Sequence, residues 1–297
     1  MKVYLPKELD RGPSMYWLIN QVLDANNNPK SNVFDFDFTT LKFIRPVGVT
    51  VLSNLVGRLH RHGASVTFTY NLPNRSQKHC PMAFLDDSMF FKYYLKQNLD
   101  SFASLRPTTR PLENVTYDAS YAYLDQTMAW LAVKLNLTKE SLGDLKTCLK
   151  EVFNNIRDHS SENIGSIFVQ QYPSQNRVMV AISDFGVGIP NSIQSHEGYR
   201  GVDDAEALRL SVQEGFTTKS TPRNRGAGLD FLLHNVVKNN QGSVYIHSNH
   251  GILSSTYVNN GIHTVVEKTG GFYPGTLLEI EFRTDTIQYI EEEFSWE

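Results

Sequence analysis

The sequence predicts a mixed α/β protein made of two patterned regions. A small βαβ domain spans residues 1–80, and an α/β sandwich spans 139–297, with one helical layer on one mixed sheet. A helical bridge, 81–138, joins them. Three observations lead there. Strand-like and helix-like periodicities alternate once near the N-terminus. A helix, a two-strand hairpin, further helices and two apolar strands follow in the second half. No internal repeat or low-complexity run interrupts either pattern.

Residues 2–5 form a short strand candidate. Pro13 suits a first helical turn, and Met15, Leu18, Ile19, Val22 and Leu23 then recur at helical spacing until Asn26-Asn27-Asn28-Pro29 stops the helix. Val33, Phe34, Phe36 and Phe38 alternate with Asp35 and Asp37 as a strand. Pro46 opens a helix carrying Val51, Leu52, Leu55, Val56 and Leu59; Gly63 ends it, and 64–70 is a second strand. Strand, helix, strand at these lengths implies a parallel pair. In the bridge, 82–99 reads as one aromatic-rich helix, 105–113 as an exposed crossing segment with two prolines, and 119–135 as another helix. The second region opens with a helix over 142–159. Strands 166–172 and 177–183 flank a short turn as a hairpin. Helix 203–213, a Gly-, Thr- and Arg-rich loop at 214–227, helix 229–239, and strands 243–248 and 276–282 complete the expectation.

With 297 residues, 40% hydrophobic and 20% charged, the chain can bury a core, which excludes disordered and collagenous classes. Lys plus Arg is 28 against 31 Asp plus Glu, a net charge of −3. A globally basic nucleic-acid binder is excluded on that balance, although a local basic patch fits within it. The two cysteines, Cys80 and Cys148, form no C-x-x-C, so neither a disulfide scaffold nor a zinc ribbon is expected. Residues 1–10 lack the apolar run of a secretion signal, and no stretch reaches about 18 apolar residues. A cytoplasmic protein without a membrane span is the expectation.

Four short segments carry the candidate chemistry. On helix 142–159, Leu142, Leu145, Leu149, Val152, Phe153 and Ile156 form an apolar face, and Glu151, Asn155, Asp158 and His159 line an adjacent strip. Glu can take a proton and Asn can give Mg²⁺ an oxygen, but alone the strip equally suits a solvated face. Asp184-Phe185-Gly186-Val187-Gly188-Ile189-Pro190 follows a strand, where a carboxylate can accept from an exocyclic amine; alone it equally suits an ordinary turn. Arg225-Gly226-Ala227-Gly228-Leu229 opens a helix, exposing backbone N–H groups to an anion, with Lys219, Arg223 and Arg225 adding cations. Gly275-Thr276 heads the last strand. No Walker A loop, Rossmann glycine fingerprint, G-x-S-x-G or H-E-x-x-H motif occurs.

In this order and spacing, the four segments resemble the GHKL ATPase family, which includes DNA gyrase B, the large heat-shock chaperone, histidine kinases and MutL. The resemblance covers 139–283. It implies the Bergerat fold and binding of ATP with Mg²⁺. By motif position, Asn155 would ligate Mg²⁺ and Glu151 would act as general base. Asp184 would accept from the adenine amine, with Thr276 supporting the base. Gly186, Gly188 and Ile189 would lie against the nucleotide, as would His159 at the end of the helix motif. Gly226, Ala227, Gly228 and Leu229 would hold the phosphates, with Lys219 and Arg225 in a lid over 214–225. Glu151 and the Phe216-Thr217-Thr218-Lys219 stretch look like the ATPase and serine-kinase branches; no phosphoacceptor His-Glu helix is found.

The N-terminal region resembles the STAS domain of anti-sigma factor antagonists, through Asp35-Phe36-Asp37-Phe38 and Phe43-Ile44-Arg45-Pro46-Val47-Gly48 before a helix. Pro46 and Val47 stand where the Ser or Thr acceptor is usual, and Thr50 lies one turn later. The function expected from the whole is a regulatory ATPase whose N-terminal domain meets another protein. A serine/threonine kinase acting on a separate protein and a nucleotide-binding module without turnover are the alternatives. A homodimer is compatible with each; nucleic acid and membrane partners are not indicated.

Overall fold

The computed structural model describes residues 1–159, 164–216 and 228–291, with the backbone alone at 155–159 and 164. The chain starts with β1 (Lys2–Tyr4), β2 (Glu8–Leu9), α1 (Pro13–Val22), β3 (Val33–Asp37), β4 (Phe43–Ile44), α2 (Pro46–Arg61) and β5 (Ser65–Thr69). Strands β1, β3 and β5 form a parallel sheet in that order, as the βαβ spacing predicts for the last two. β2 and β4, short and without alternation, pair in parallel beside it.

Two helices follow where the sequence predicts one: α3 (Pro81–Asp87) and α4 (Phe90–Leu95). Met89 (φ 68°) breaks the run and Lys96 (φ 61°) ends it, both in the left-handed region that a continuous helix cannot pass through. The segment read as an exposed crossing is also corrected. Thr109 and Leu112 are buried, the Arg110 N–H donates to the Val169 carbonyl at 3.0 Å, and the chain continues as strand β6 (Glu113–Thr116).

Next come α5 (Tyr117–Leu135), α6 (Gly143–His159), β7 (Ile164–Tyr172), β8 (Arg177–Asp184), α7 (Ile189–Gln194), α8 (Asp204–Ser211) and α9 (Leu229–Leu233). The helix of α9 continues as a π-helix, His234–Asn239. β9 (Ser243–Val258) and β10 (Gly261–Arg283) close the chain. Both run far beyond the predicted 243–248 and 276–282. Asn259 and Asn260, both at positive φ, make the tight turn of one long hairpin.

The second sheet has the order β6-β7-β8-β10-β9, and every neighbouring pair is antiparallel. The expected mixed sheet is therefore corrected: β7–β8 and β9–β10 are hairpins with tight turns, and the helical connections β6–β7 and β8–β9 also bring the chain back antiparallel to its sheet neighbours. The single helical layer is corrected too. Alternate residues of each strand face opposite ways. Ile167, Val180, Ile182, Ile246 and Ile280 pack with Leu149, Phe153 and Val236 of the α6–α9 layer. Phe168, Ala181 and Leu277 face the other way and share a core with Val51, Leu55 and Phe36 of the N-terminal region.

Helix α2 is thus sandwiched between the two sheets. That is why Thr50, Ser53 and Asn54, polar in sequence, are as buried as its apolar stripe. The Ser166 hydroxyl of β7 donates to the Ser53 hydroxyl at 3.2 Å, and the Tyr94 hydroxyl donates to the Ser53 carbonyl at 2.6 Å. Gly48 lets α2 approach β2: a Cβ there would lie 2.4 Å from the Leu9 carbonyl oxygen. Gly48→Ala must displace backbone, so a loss of about 1–3 kcal/mol is expected in urea unfolding. An unchanged midpoint would show that α2 is free to slide.

Candidate functional site

β8 ends at Asp184, which stands opposite Thr276 of β10; Thr276 in turn stands opposite Ser248 of β9. Antiparallel register thereby puts a carboxylate and two hydroxyls at one end of the sheet. Asp184 is buried, and its Oδ1 accepts the Gly186 N–H at 2.8 Å, which starts the turn away from the strand. The Ser248 hydroxyl accepts the Ile189 N–H at 3.0 Å and donates to the Gly275 carbonyl at 2.6 Å, with the Thr276 hydroxyl 3.3 Å away.

The glycines in this turn have a packing requirement of their own. Gly188 sits at φ 83°, and a Cβ on it would lie 2.8 Å from Asn249 Oδ1 and 3.0 Å from the Ser248 hydroxyl. Gly275 sits at φ 104°, where a Cβ would lie 2.4 Å from the Asp184 carbonyl oxygen. The two backbone segments press together because neither carries a side chain. Asp184, Gly186, Gly188, Ile189 and Thr276 are therefore brought together at one end of the sheet.

The cluster is tied to the N-terminal region. Phe185 is buried with its ring edge-on to Tyr273 at 5.5 Å, and its carbonyl accepts from Nη1 of Arg58, on α2, at 3.2 Å. The Tyr273 hydroxyl bonds the Ser183 hydroxyl. Ser248, Asn249 and Tyr273 were not among the residues singled out from sequence. Only strand register identifies them, and register across β9 and β10 is not written in local spacing.

A second group lies on the helices. Leu145, Cys148, Leu149, Val152 and Phe153 are buried as the apolar face of α6, and Glu151 is half-buried on its flank, accepting from Asn154 Nδ2 at 3.3 Å. Burial pushes the Cys148 thiol up to about 12, so this cysteine is packing rather than a nucleophile. α6 packs against α9 and its π-helical continuation; Gly228 caps the start of α9 and Leu229 is its first residue, both half-buried.

Asn155 and His159 are on the α6 backbone, with their side chains outside the described residues. Lys219, Arg225, Gly226 and Ala227 lie outside the described residues. Among the described residues, no group of three or more His, Cys, Asp and Glu side chains converges as a metal would require, and no helix is long and apolar enough to cross a membrane. The aromatic run over 90–94 packs rather than forms an open platform: Phe90 and Phe91 are fully buried against Phe38 and Phe68. No protein-family model matches the chain, and no curated protein matches it.

Proposed function

We propose that the chain is an ATP-binding regulatory protein of the GHKL type, taking ATP with Mg²⁺ and hydrolysing it slowly to drive a conformational switch. The observation that carries this reading is the sheet-end cluster: a buried carboxylate, Asp184, in register with Thr276 and Ser248. A buried acceptor beside a hydroxyl suits the exocyclic amine of adenine, because a buried polar group must be paired. Bound ATP would supply the phosphoryl group. Within the chain, Asp184 would hold the base, Glu151 would take the proton of the attacking water, and Gly226, Ala227, Gly228 and Leu229 would hold the phosphates beneath a lid over 214–225.

Asp184→Asn is expected to weaken ATP binding by about tenfold, the lower part of the range for a lost hydrogen bond to a charged group. Asparagine keeps the oxygen that accepts the Gly186 N–H, so the turn and the fold survive. Calorimetry with Mg·ATP checks this, and unchanged affinity removes Asp184 from the site. Labelled ATP then reports the fate of the γ-phosphate: free phosphate supports the ATPase reading, phosphoprotein the kinase, and neither the binding module.

A further inference from the structure

We propose that Arg58, on helix α2 of the N-terminal region, is a positioning residue for the carboxylate of Asp184, and thereby sets the chain's preference for adenine over a purine without the amine. The inference rests on the reading of the sheet-end cluster as a nucleotide site, and extends it to a residue outside the four motif segments.

The arrangement follows from the pleat of β8, whose side chains alternate between two faces. Val180 and Ile182 share a core with the α6–α9 layer. Ala181, and Phe185 just past the strand, share one with α2 and the N-terminal strands. Ser183 falls on the same face as Ala181, and its hydroxyl bonds that of Tyr273, which is buried in the N-terminal core. Alternation therefore puts Asp184 on the side of the sheet that α6 covers, while both of its chain neighbours are held from the opposite side.

Arg58 completes that hold. Its Nη1 donates to the Phe185 carbonyl at 3.2 Å and its Nη2 to the Asn27 carbonyl at 3.0 Å. Asn27 lies in the turn after α1, which Asp24 closes by accepting the Asn26 and Asn28 N–H groups at 2.8 and 2.9 Å. A half-buried guanidinium, planar and with its donors in a fixed fork, thus ties one turn to another.

The Phe185 carbonyl and the Gly186 N–H belong to one peptide unit. That same N–H is the one Asp184 Oδ1 accepts at 2.8 Å. A peptide unit is planar, so fixing its carbonyl fixes the direction of its N–H, and with it the carboxylate that the N–H holds. Bonds in such a chain also polarise one another: a carbonyl that accepts from a guanidinium makes its own N–H a better donor. Gly186 itself has no side chain to restrict its backbone, so the orientation has to come from outside the turn.

The test compares Mg·ATP with the Mg²⁺ complex of purine riboside triphosphate, which lacks only the 6-amino group, by calorimetry on the full chain. The parent chain is expected to prefer ATP by about tenfold or more, the range for a hydrogen bond to a charged group. Arg58→Met keeps the bulk and removes the donors. It is expected to weaken ATP by about threefold to tenfold, the cost of ordering a loosened side chain on binding, and to leave the analogue within about twofold. Added to Asp184→Asn it should cost at most about twofold more, because both changes act on one hydrogen bond. Arg58→Lys keeps the charge and a donor and should fall between; it carries the test if urea shows Arg58→Met to be unfolded. An unchanged preference for ATP in the folded variants, an equal loss for ATP and analogue, or a loss that adds in full to that of Asp184→Asn overturns the inference and leaves the nucleotide reading standing. A parent chain with no preference for ATP over the analogue overturns the reading of Asp184, and the inference falls with it.

Discussion

Glu151→Ala is expected to bind Mg·ATP like the parent chain and to lose about 10²–10⁴-fold in any phosphoryl transfer. A general base acts only as the proton leaves the attacking hydroxyl, so removing it spares the ground state. Glu151 stands half-buried on the flank of α6, beside the face that Leu149, Val152 and Phe153 bury. Alanine favours helix, so α6 should persist without it. The bond that Glu151 accepts from Asn154 Nδ2, at 3.3 Å, is a long one. Asn155→Ala is the counterpart: as the residue the motif assigns to Mg²⁺, it should lower Mg·ATP binding itself. Single-turnover rates and calorimetry on both variants decide the matter. Loss of nucleotide binding in Glu151→Ala alone would reverse the assignment and make this face of α6 structural.

The second large effect is expected from acid. His247 on β9 is completely buried between Tyr16 (5.3 Å) and Tyr273 (5.6 Å). Burial, opposed in part by the Asn249 backbone and aided by a small push from His250, pulls its imidazole down to about 4. The folded state therefore refuses a proton that the unfolded state accepts near 6.5. Stability is unaffected above that value and falls as pH drops from about 6.5 to about 4, by about 3 kcal/mol in all. Glu279 works against this over the lowest part of the range. Burial raises its carboxyl despite Arg11 and Arg45, so the folded state binds that proton more tightly than the unfolded one. Urea unfolding between pH 7 and pH 4 should show the loss, and His247→Leu should flatten it. An equally steep acid limb in that variant would assign the effect elsewhere.

Much of the fold is legible in local spacing. The α6 stripe follows from its one buried face; the β7–β8 hairpin and the β3–α2–β5 unit follow from apolar runs bounded by turn and helix-start residues, although both faces of β8 and most of α2 are buried. The β9–β10 hairpin is not legible beyond its first and last strands. Gly270, Gly271 and Pro274 disrupt the alternation, and register shifts lie between Lys268 and Thr276. Met89 gives no sign that it takes a left-handed backbone, since only tertiary packing sets that angle. The interface between the two sheets is hidden for another reason. Ser53, Asn54, His247 and Glu279 look like surface residues, yet all are buried where α1, α2 and β2 cover the sheet. In the sheet-end cluster, Asp184 and its glycines stand out in the sequence, whereas Ser248 and Asn249 enter only through pairing across strands.

Helix α2 has a mechanical consequence. Its first residue, Pro46, borders the cleft between α2, the segment leading into α3 and the β7–β8 hairpin, and Arg58, in its last turn, holds the carbonyl of Phe185 inside the Asp-x-Gly-x-Gly turn. Sixteen residues at about 1.5 Å each make a rod of roughly 24 Å. Packed on both sides, such a rod transmits displacement along its axis rather than absorbing it. An axial displacement at either end of the rod would be felt as work at the other.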